Sequence, residues 1–450
     1  MFQGRVASIK MPRRVRRLDS NDPLHELDQL VHAISRPRTI ADSQASKIHD
    51  SSTSISCLDG DVIVSAYKAT CEIPRILSDY SICKALRNRP SVITRRWEAI
   101  RYWVLYCATA LETSEKGRDK GSIICNQICQ FLVALHDFDN IDDIWAPLRA
   151  DTALHDVVTI IWIKQSQDIL RFAIPNPHPS RRRLMKWCKR FPPGPSQIFT
   201  YLFNGSSDEY ERSLISQVHG DCDFLALSAL ERLRNVLRVR SPLAMHDMRA
   251  YINLVCVLHS SNSTPLRLAL IGNKSPLLVA KALRQHMNFL LREMDVKETR
   301  RFIPTVSITL QLFSHLISTQ GLPFPEIIQQ ISRGDLFQTL MYIYVLTQDE
   351  IAEYFQQFRT FADTLLQEDL PRHLNHYSSL NEVIKSFNRF EYAPLHYVQR
   401  IPAMSYVWRY TIERAILKAL FDRACFNEKY RCCTVRHSSG PHFIDIGHIY

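Results

Sequence analysis

Residues 241–291 read SPLAMHDMRAYINLVCVLHSSNSTPLRLALIGNKSPLLVAKALRQHMNFLL and show a regular helical pattern. Its apolar residues recur every three or four positions, as at Met248, Ile252 and Val255, which is the spacing of one helix face. Three pairs place a capping hydroxyl before a proline suited to the first helical position: Ser241-Pro242, Thr264-Pro265 and Ser275-Pro276. The stretch predicts a long helix, a short helix and a second long helix.

The same helical spacing continues on both sides of this stretch. Glycine is scarce, with 12 residues, which disfavours the tight hairpins of a sheet-rich fold. Hydrophobic residues make up 46% and charged residues 22% of the chain, as in a globular protein. The alternation of long and short helices is typical of armadillo or HEAT repeats of ~40–47 residues, although no strict period is visible. We therefore predict an all-α fold of armadillo/HEAT-like stacked helices, with a disordered basic N-terminus and an irregular C-terminal tail.

Proline, serine and charge distribution suggest where the helical regions begin and end. We predict a disordered segment over 1–60 with one short helix at 23–34, an N-terminal helical region over 61–173, a proline-rich basic linker over 174–196, a helical repeat-like region over 197–423, and a Cys/His-containing tail over 424–450. Within 61–173 we expect a break or kink at Pro74 and a core-facing stripe of Trp97, Ile100, Val104, Cys107 and Leu111.

Composition also indicates where in the cell the protein is expected. No apolar run approaches the ~18–20 residues that span a bilayer, and the N-terminus lacks the apolar core of a secretory signal. Twelve cysteines scattered along helical stretches are typical of reduced, mostly buried thiols. We expect a cytoplasmic or nuclear protein without membrane contact, and RRVRR at 13–17 is a candidate nuclear localisation signal.

The sequence lacks the common catalytic motifs. It contains no glycine-rich phosphate loop, no G-x-S-x-G elbow, no H-E-x-x-H helix and no C-x-x-C pair. We therefore predict a protein that is not an enzyme, with no catalytic residue and no organic cofactor.

A basic segment at 171–190 carries seven Lys or Arg residues and no acidic residue, within a net charge of +11. Cationic and aromatic side chains together can bind nucleic acid through phosphate contacts and base stacking. The candidate residues are Arg181, Arg182, Arg183, Lys186, Trp187, Lys189 and Arg190. The alternative is an exposed helix whose Leu184 and Trp187 pack on the body of the protein.

The tail is the part of the sequence that most resembles a metal site. Zinc prefers four Cys or His ligands in tetrahedral array. Candidate ligands are Cys425, Cys432, Cys433 and His437, with His442 close by. Their spacing is irregular, since six residues separate Cys425 from Cys432. A zinc ion bound here is therefore an alternative to an irregular tail without metal.

Several segments over about 80–420 resemble helical, armadillo-like proteins of mushroom-forming fungi that normally end in a MYND-type zinc finger. These segments are RPSVITRRWEAIRYWVLYC at 89–107, LRADTALHDVVTIIWI at 148–163, DCDFLALSALERLRNVL at 221–237 and TPLRLALIGNKSPLLVAKAL at 264–283. The resemblance implies a finger beginning near Cys425-Phe426-Asn427. Such a finger needs seven cysteines and a histidine for two zinc ions, whereas this tail has three cysteines. We expect a truncated or degenerate finger.

Two classes of function remain open. The leading hypothesis is a helical scaffold for protein–protein interaction, with a protein partner of unknown identity, since stacked helices offer extended binding surfaces. The alternative is a nucleic-acid-binding protein that uses the basic segment. Zinc binding by the tail is a second alternative, and the sequence leaves the oligomeric state undetermined.

Overall fold

The computed structural model describes residues 22–45, 60–113, 118–136, 150–172, 180–203, 208–239, 242–293, 296–347, 352–388 and 402–426. These residues form helices joined by short turns, and none of them lies in a strand. The predicted all-α fold is confirmed. No helix within these ranges is long and apolar enough to cross a membrane.

The chain divides into two compact units, Met1–Val157 and Val158–Tyr450. The helices described in the first unit are α1 (His25–Ala45), α2 (Gly60–Leu77), α3 (Tyr80–Asn88), α4 (Ser91–Thr94), α5 (Trp97–Thr113), α6 (Arg118–His136) and the start of α7 (Thr152–Arg171). Helix α1 packs against α2, α4 and α5, and α2 packs against α6. The predicted stripe on α5 is buried at Trp97, Ile100, Val104 and Cys107, while the side chain of Leu111 lies outside the described residues.

Helix α1 is longer than the sequence indicated. It begins where the Asp22 carboxylate accepts a hydrogen bond from the Leu24 amide, and it continues through Pro37 to Ala45. Its apolar face is fully buried, at Leu24, Leu27, Val31 and Ile34. The prediction of disorder around a helix ending at 34 is therefore wrong for 22–45, because α1 and even its Pro37 are buried in the first unit. Residues 1–21 and 46–59 lie outside the described ranges.

The break predicted at Pro74 lies a few residues later. Pro74 is inside α2, which ends at Leu77. The Asp79 carboxylate then accepts a hydrogen bond from the Ser81 amide at 2.8 Å and caps α3. The chain breaks where a capping side chain is present, since a proline near a helix end removes only one hydrogen bond.

The second compact unit starts within α7. Its further helices are α8 (Arg181–Arg190), α9 (Gly194–Phe203), α10 (Asp208–Gln217), α11 (Cys222–Arg238), α12 (Pro242–His259), α13 (Thr264–Gly272), α14 (Ser275–Glu293), α15 (Val296–Ser318), α16 (Phe324–Arg333), α17 (Leu336–Leu346), α18 (Glu353–Asp363), a π-helical continuation (Thr364–Asp369), α19 (Leu370–His373), α20 (Tyr377–Asn388) and α21 (Pro402–Phe426).

One three-helix arrangement occurs three times between 208 and 363, and we call each copy a module. The modules are α10–α12, α13–α15 and α16–α18. The middle helices α11, α14 and α17 pack in series, and so do the third helices α12, α15 and α18. The short first helices begin at Asp208, Thr264 and Phe324, which gives a period of roughly 55–60 residues, longer than the ~40–47 expected for armadillo or HEAT repeats.

Each module turns sharply between its first and second helices through a residue with positive φ. These residues are Gly220 at 79°, Lys274 at 66° and Asp335 at 61°. The corner before α17 also lies very close to α14, since a Cβ on Gly334 would be 2.4 Å from the Ala280 Cβ. The corners before α14 and α17 each contain one such residue immediately before the helix, whereas the corner before α11 contains two, His219 at 54° and Gly220. The positive-φ residues differ in type from corner to corner, which explains why the sequence shows no period.

Two of the predicted caps differ in the structure. The hydroxyl that caps α13 belongs to Ser263, which accepts from the Leu266 amide, and Thr264 is already helical. Ser275 begins α14, but its Oγ lies 2.7 Å from the His259 Nε2. The prolines lie at the helix starts, as expected. The hydroxyl that caps α13 lies one residue earlier than predicted, and the Ser275 hydroxyl contacts His259.

The predicted linker over 174–196 does not coincide with the division between compact units, which falls between Val157 and Val158. Residues 181–190 form α8, and Gly194 and Pro195 lie buried in the first turn of α9. Pro192, Pro193 and Pro195 stand at the start of α9, where their fixed φ is favourable, so proline density does not mark a linker over 180–196. Residues 173–179 lie outside the described ranges.

Candidate functional site

Helix α8 presents its positive charge on one side. Arg182, Arg183, Lys186 and Arg190 are exposed, and we call these four residues the basic face. At 3.6 residues per turn they occupy roughly a 100° arc of the helix. The Ser180 hydroxyl starts the helix by accepting a hydrogen bond from the Arg183 amide. The side chains of Arg181 and Lys189, also predicted as contacts, lie outside the described residues.

Of the two alternatives for Trp187, packing on the body is the one observed, so this ring is not exposed for stacking on a base. Trp187 is 5% exposed and lies beside Leu184 on the buried side of α8. Its ring contacts Phe191, with centroids 5.3 Å apart. The spacing of Leu184, Trp187 and Phe191 by three and four residues was the sequence signal for this burial.

The aromatic ring beside the basic face is that of Phe172, which is not among the residues that the sequence pattern predicts. Phe172 follows the last turn of α7 and is 48% exposed. The Arg190 guanidinium carbon lies 4.2 Å from its ring centroid, a cation–π distance. A lone phenylalanine at a helix end gives no periodic signal, so only the packing of α7 and α8 brings it to this place.

The buried side of α8 rests on α12 through polar groups as well as rings. The Tyr251 hydroxyl donates a hydrogen bond to the Phe191 carbonyl at 3.2 Å. Burial raises the pKa of the Cys188 thiol to about 11 and that of the Asp247 carboxyl to about 6. Burial also raises the pKa of Tyr251 well above its usual value. These groups hold α8 in a fixed orientation, so the basic face is part of the folded body.

A fully buried arginine fixes α7 against α11. Arg232 donates to the Ser228 carbonyl at 2.9 Å and to the Gln165 Oε1 at 3.1 Å. Its guanidinium carbon lies 4.9 Å from the ring of Trp162. Burial lowers the pKa of Arg232 to about 10, because the charged form loses hydration. This contact positions α7, and with it Phe172, relative to the modules.

A second surface is formed by the third helices of two modules. On α15, the exposed residues recur along one side at Arg301, Pro304, Ile308, Gln311 and His315. On α18, which packs beside α15, the exposed residues are Glu353, Gln356, Gln357 and Thr360. We call these two stripes the third-helix face. It is mostly uncharged and contains Ile308, which is 46% exposed.

Ser275 and His259 form the contact closest to a catalytic pair in the described residues. Both side chains are buried, and the His259 Nδ1 has no hydrogen-bond partner. Burial lowers the pKa of His259 to about 3, so the imidazole stays neutral. A serine nucleophile needs access to substrate and a histidine oriented by a third group. The geometry supports a structural role, in which His259 ties the end of α12 to the start of α14.

The zinc hypothesis concerns residues that the structure mostly does not describe. The backbone of Cys425 lies in the last turn of α21, while its side chain and all of Cys432, Cys433 and His437 lie outside the described ranges. Among the described residues, no group of three or more His, Cys, Asp or Glu side chains is arranged to hold a metal ion. Zinc binding by the tail stays a prediction.

In comparisons with known proteins, the chain matches no family model, no curated protein and no solved structure.

Proposed function

We propose that this chain is a non-enzymatic helical scaffold that binds a protein partner along the third-helix face. The observation that carries the proposal is the serial packing of corresponding helices in consecutive modules, together with an exposed stripe on each of the neighbouring helices α15 and α18. Stacked helical repeats form extended surfaces of this kind, and extended peptides or helices dock on them. The low charge of the face and the exposed Ile308 suit a partner with apolar contacts.

The test compares two matched variants of the full chain. Ile308→Asp places a charge in the third-helix face, whereas Leu268→Asp places one on α13, where Leu268 is 42% exposed. Proteins recovered with the wild-type chain from native lysate are quantified by mass spectrometry. The proposal expects a reproducible partner that is lost with Ile308→Asp and retained with Leu268→Asp. A partner retained equally by both variants, or no reproducible partner, contradicts it.

The second candidate function is nucleic-acid binding through the basic face. The observation that favours it is the exposure of Arg182, Arg183, Lys186 and Arg190 together on a helix without acidic residues. Neutralising phosphates releases counterions, so log affinity falls with log salt by about 0.7 to 0.9 per phosphate contacted. A salt titration of fluorescent oligonucleotides, with Arg183→Glu combined with Lys186→Glu as the variant, tests this candidate. Salt-insensitive binding, or binding unchanged in the variant, excludes it.

A further inference from the structure

Three cations of the basic face, Arg182, Arg183 and Lys186, have no carboxylate partner among the described residues. Helix α8 itself contains no acidic residue. At 1.5 Å per residue the face extends ~12 Å along the helix from Arg182 to Arg190. It is therefore long enough to contact more than one phosphate of a bound strand.

Phe172 adds a different chemistry at one end of this face. Nearly half of the Phe172 side chain is exposed, and the Arg190 guanidinium lies against its ring at 4.2 Å. Exposure of the apolar phenylalanine ring to water is unfavourable in free energy. A flat partner that covers the ring would remove part of this cost. The cation on one side also holds the ring in a defined position. The result is a stacking platform directly next to phosphate-binding charges.

The basic face and the Phe172 ring together favour some polyanionic ligands over others. Duplex DNA offers phosphates but keeps its bases stacked inside, so an exposed ring beside the backbone contacts finds no base. An acidic peptide offers carboxylates but no regular series of flat rings. A single strand offers both phosphates and unstacked bases, and base stacking on an aromatic side chain is tolerant of sequence.

We propose that the basic face and Phe172 together bind single-stranded nucleic acid, with a base stacked on the Phe172 ring and the phosphates on Arg182, Arg183 and Lys186. This inference rests on the second candidate function and specifies its ligand. It assigns base stacking to Phe172, next to Arg190, rather than to the buried Trp187. Recognition depends little on base identity, because stacking and phosphate contacts supply it.

The experiment measures the affinity of the full chain by fluorescence anisotropy for four labelled probes: oligothymidylate, oligouridylate, a mixed-sequence DNA duplex and poly-glutamate. The variants are Phe172→Ala, Phe172→Trp, and Arg183→Glu combined with Lys186→Glu. Tyr406→Ala is the matched control, because Tyr406 is 45% exposed on α21 and outside the basic face. Circular dichroism spectra verify that each variant keeps its helical content.

The proposal expects Phe172→Ala to weaken binding of the single strands by about tenfold, since one stacked base contributes about 1–3 kcal/mol. Duplex affinity stays the same in that variant, Phe172→Trp restores single-strand binding, and Tyr406→Ala changes nothing. The charge-reversed variant weakens every polyanion.

Three outcomes overturn the proposal. If Phe172→Ala leaves single-strand affinity unchanged while charge reversal removes it, the stacking inference fails and nucleic-acid binding through the basic face survives. If poly-glutamate binds as tightly as the single strands, the ligand is an acidic peptide. If the wild-type chain binds none of the nucleic acids, the candidate function and the inference fail together.

Discussion

The modules at 208–363 and helix α1 of the first compact unit are joined to their neighbours in different ways. In the modules, the contacts between helices include buried hydrogen-bond acceptors and tight corners with positive φ. Glu211, for example, is buried and holds the loop before α13 through three hydrogen bonds. Helix α1 buries an apolar face, and its ion pair with α5, Arg38–Glu98, lies at the surface, as does the pair Asp22–Arg89 just before the helix. Buried hydrogen bonds fix the positions of the helices that they connect, and breaking them lowers the free energy of unfolding. Exposed ion pairs contribute little to that free energy.

The largest expected effect is at the corner of the third module. Gly334→Ala places a Cβ within 2.4 Å of the Ala280 Cβ and 3.1 Å of the Leu277 carbonyl oxygen. Backbone and Cβ atoms cannot move away as a flexible side chain would, so α16 and α14 must separate. We expect a loss of about 3 kcal/mol in the free energy of unfolding, at the upper end for overpacking. Urea denaturation followed by circular dichroism measures it.

The matched control is Gly272→Ala at the end of α13, where a Cβ would meet no atom within 4 Å. Alanine is favoured over glycine in a helix, so this variant should be neutral or more stable by up to about 1 kcal/mol. Equal effects of the two substitutions would show that the close approach at Gly334 does not hold the modules together.

The next largest effect concerns the buried carboxylate of Glu211 on α10. It accepts hydrogen bonds from the Ser261 hydroxyl, from the Asn262 amide at 3.0 Å and from the Ser263 amide at 2.8 Å. Glu211→Ala removes the carboxylate acceptor from these three donors and should cost about 2–3 kcal/mol, while Glu211→Gln, which keeps an acceptor, should cost about half as much.

Hydrogen exchange provides the local measurement for Glu211. The amides of Asn262 and Ser263 should exchange faster in Glu211→Ala than in the wild-type chain, because their acceptor is gone. Protection at these two amides that is the same in both chains would mean that the loop is held by something other than Glu211.

A smaller effect depends on pH and comes from Asp247 under α8. Burial raises the pKa of this carboxyl to about 6, above its usual 3.8. Between those values the native state keeps a proton that the unfolded state has lost, so stability falls as the pH rises from about 4 to about 6. Asp247→Asn should remove this slope and should be more stable than the wild-type chain at pH 7 by about 2 kcal/mol.

The stability difference between the two chains must be measured across pH, since other groups titrate as well. Burial lowers the pKa of His259 to about 3, so the stability associated with neutral His259 is lost as the pH falls from about 6.5 toward 3. That contribution is common to both chains and cancels in the difference. A difference that is constant from pH 4 to pH 7 would refute the assignment to Asp247.

Apolar periodicity was sufficient to predict the helical class and most helices, because the buried faces of α5, α12 and α14 repeat every three or four residues. It was not sufficient for the features that require two helices to meet. The corner at Gly334 is recognisable only once α14 lies beside it. Phe172 becomes a candidate only when Arg190 is placed over its ring. Proline density predicts a linker at 174–196 incorrectly, because a proline that starts a helix and one that interrupts it look alike in sequence.

The smallest effect is expected where α1 meets α5. Arg38 and Glu98 lie 3.5 Å apart, and most of the Glu98 side chain is in water. Such a pair contributes about 0.5 kcal/mol or less, because solvent and salt screen it. Glu98→Gln should therefore change the free energy of unfolding by no more than that in low salt, and the change should vanish in concentrated sodium chloride. If Glu98→Gln lowered the free energy of unfolding by more than about 1 kcal/mol and the loss persisted in high salt, the Arg38–Glu98 pair would behave like a buried contact. The contrast between α1 and the modules would then not hold.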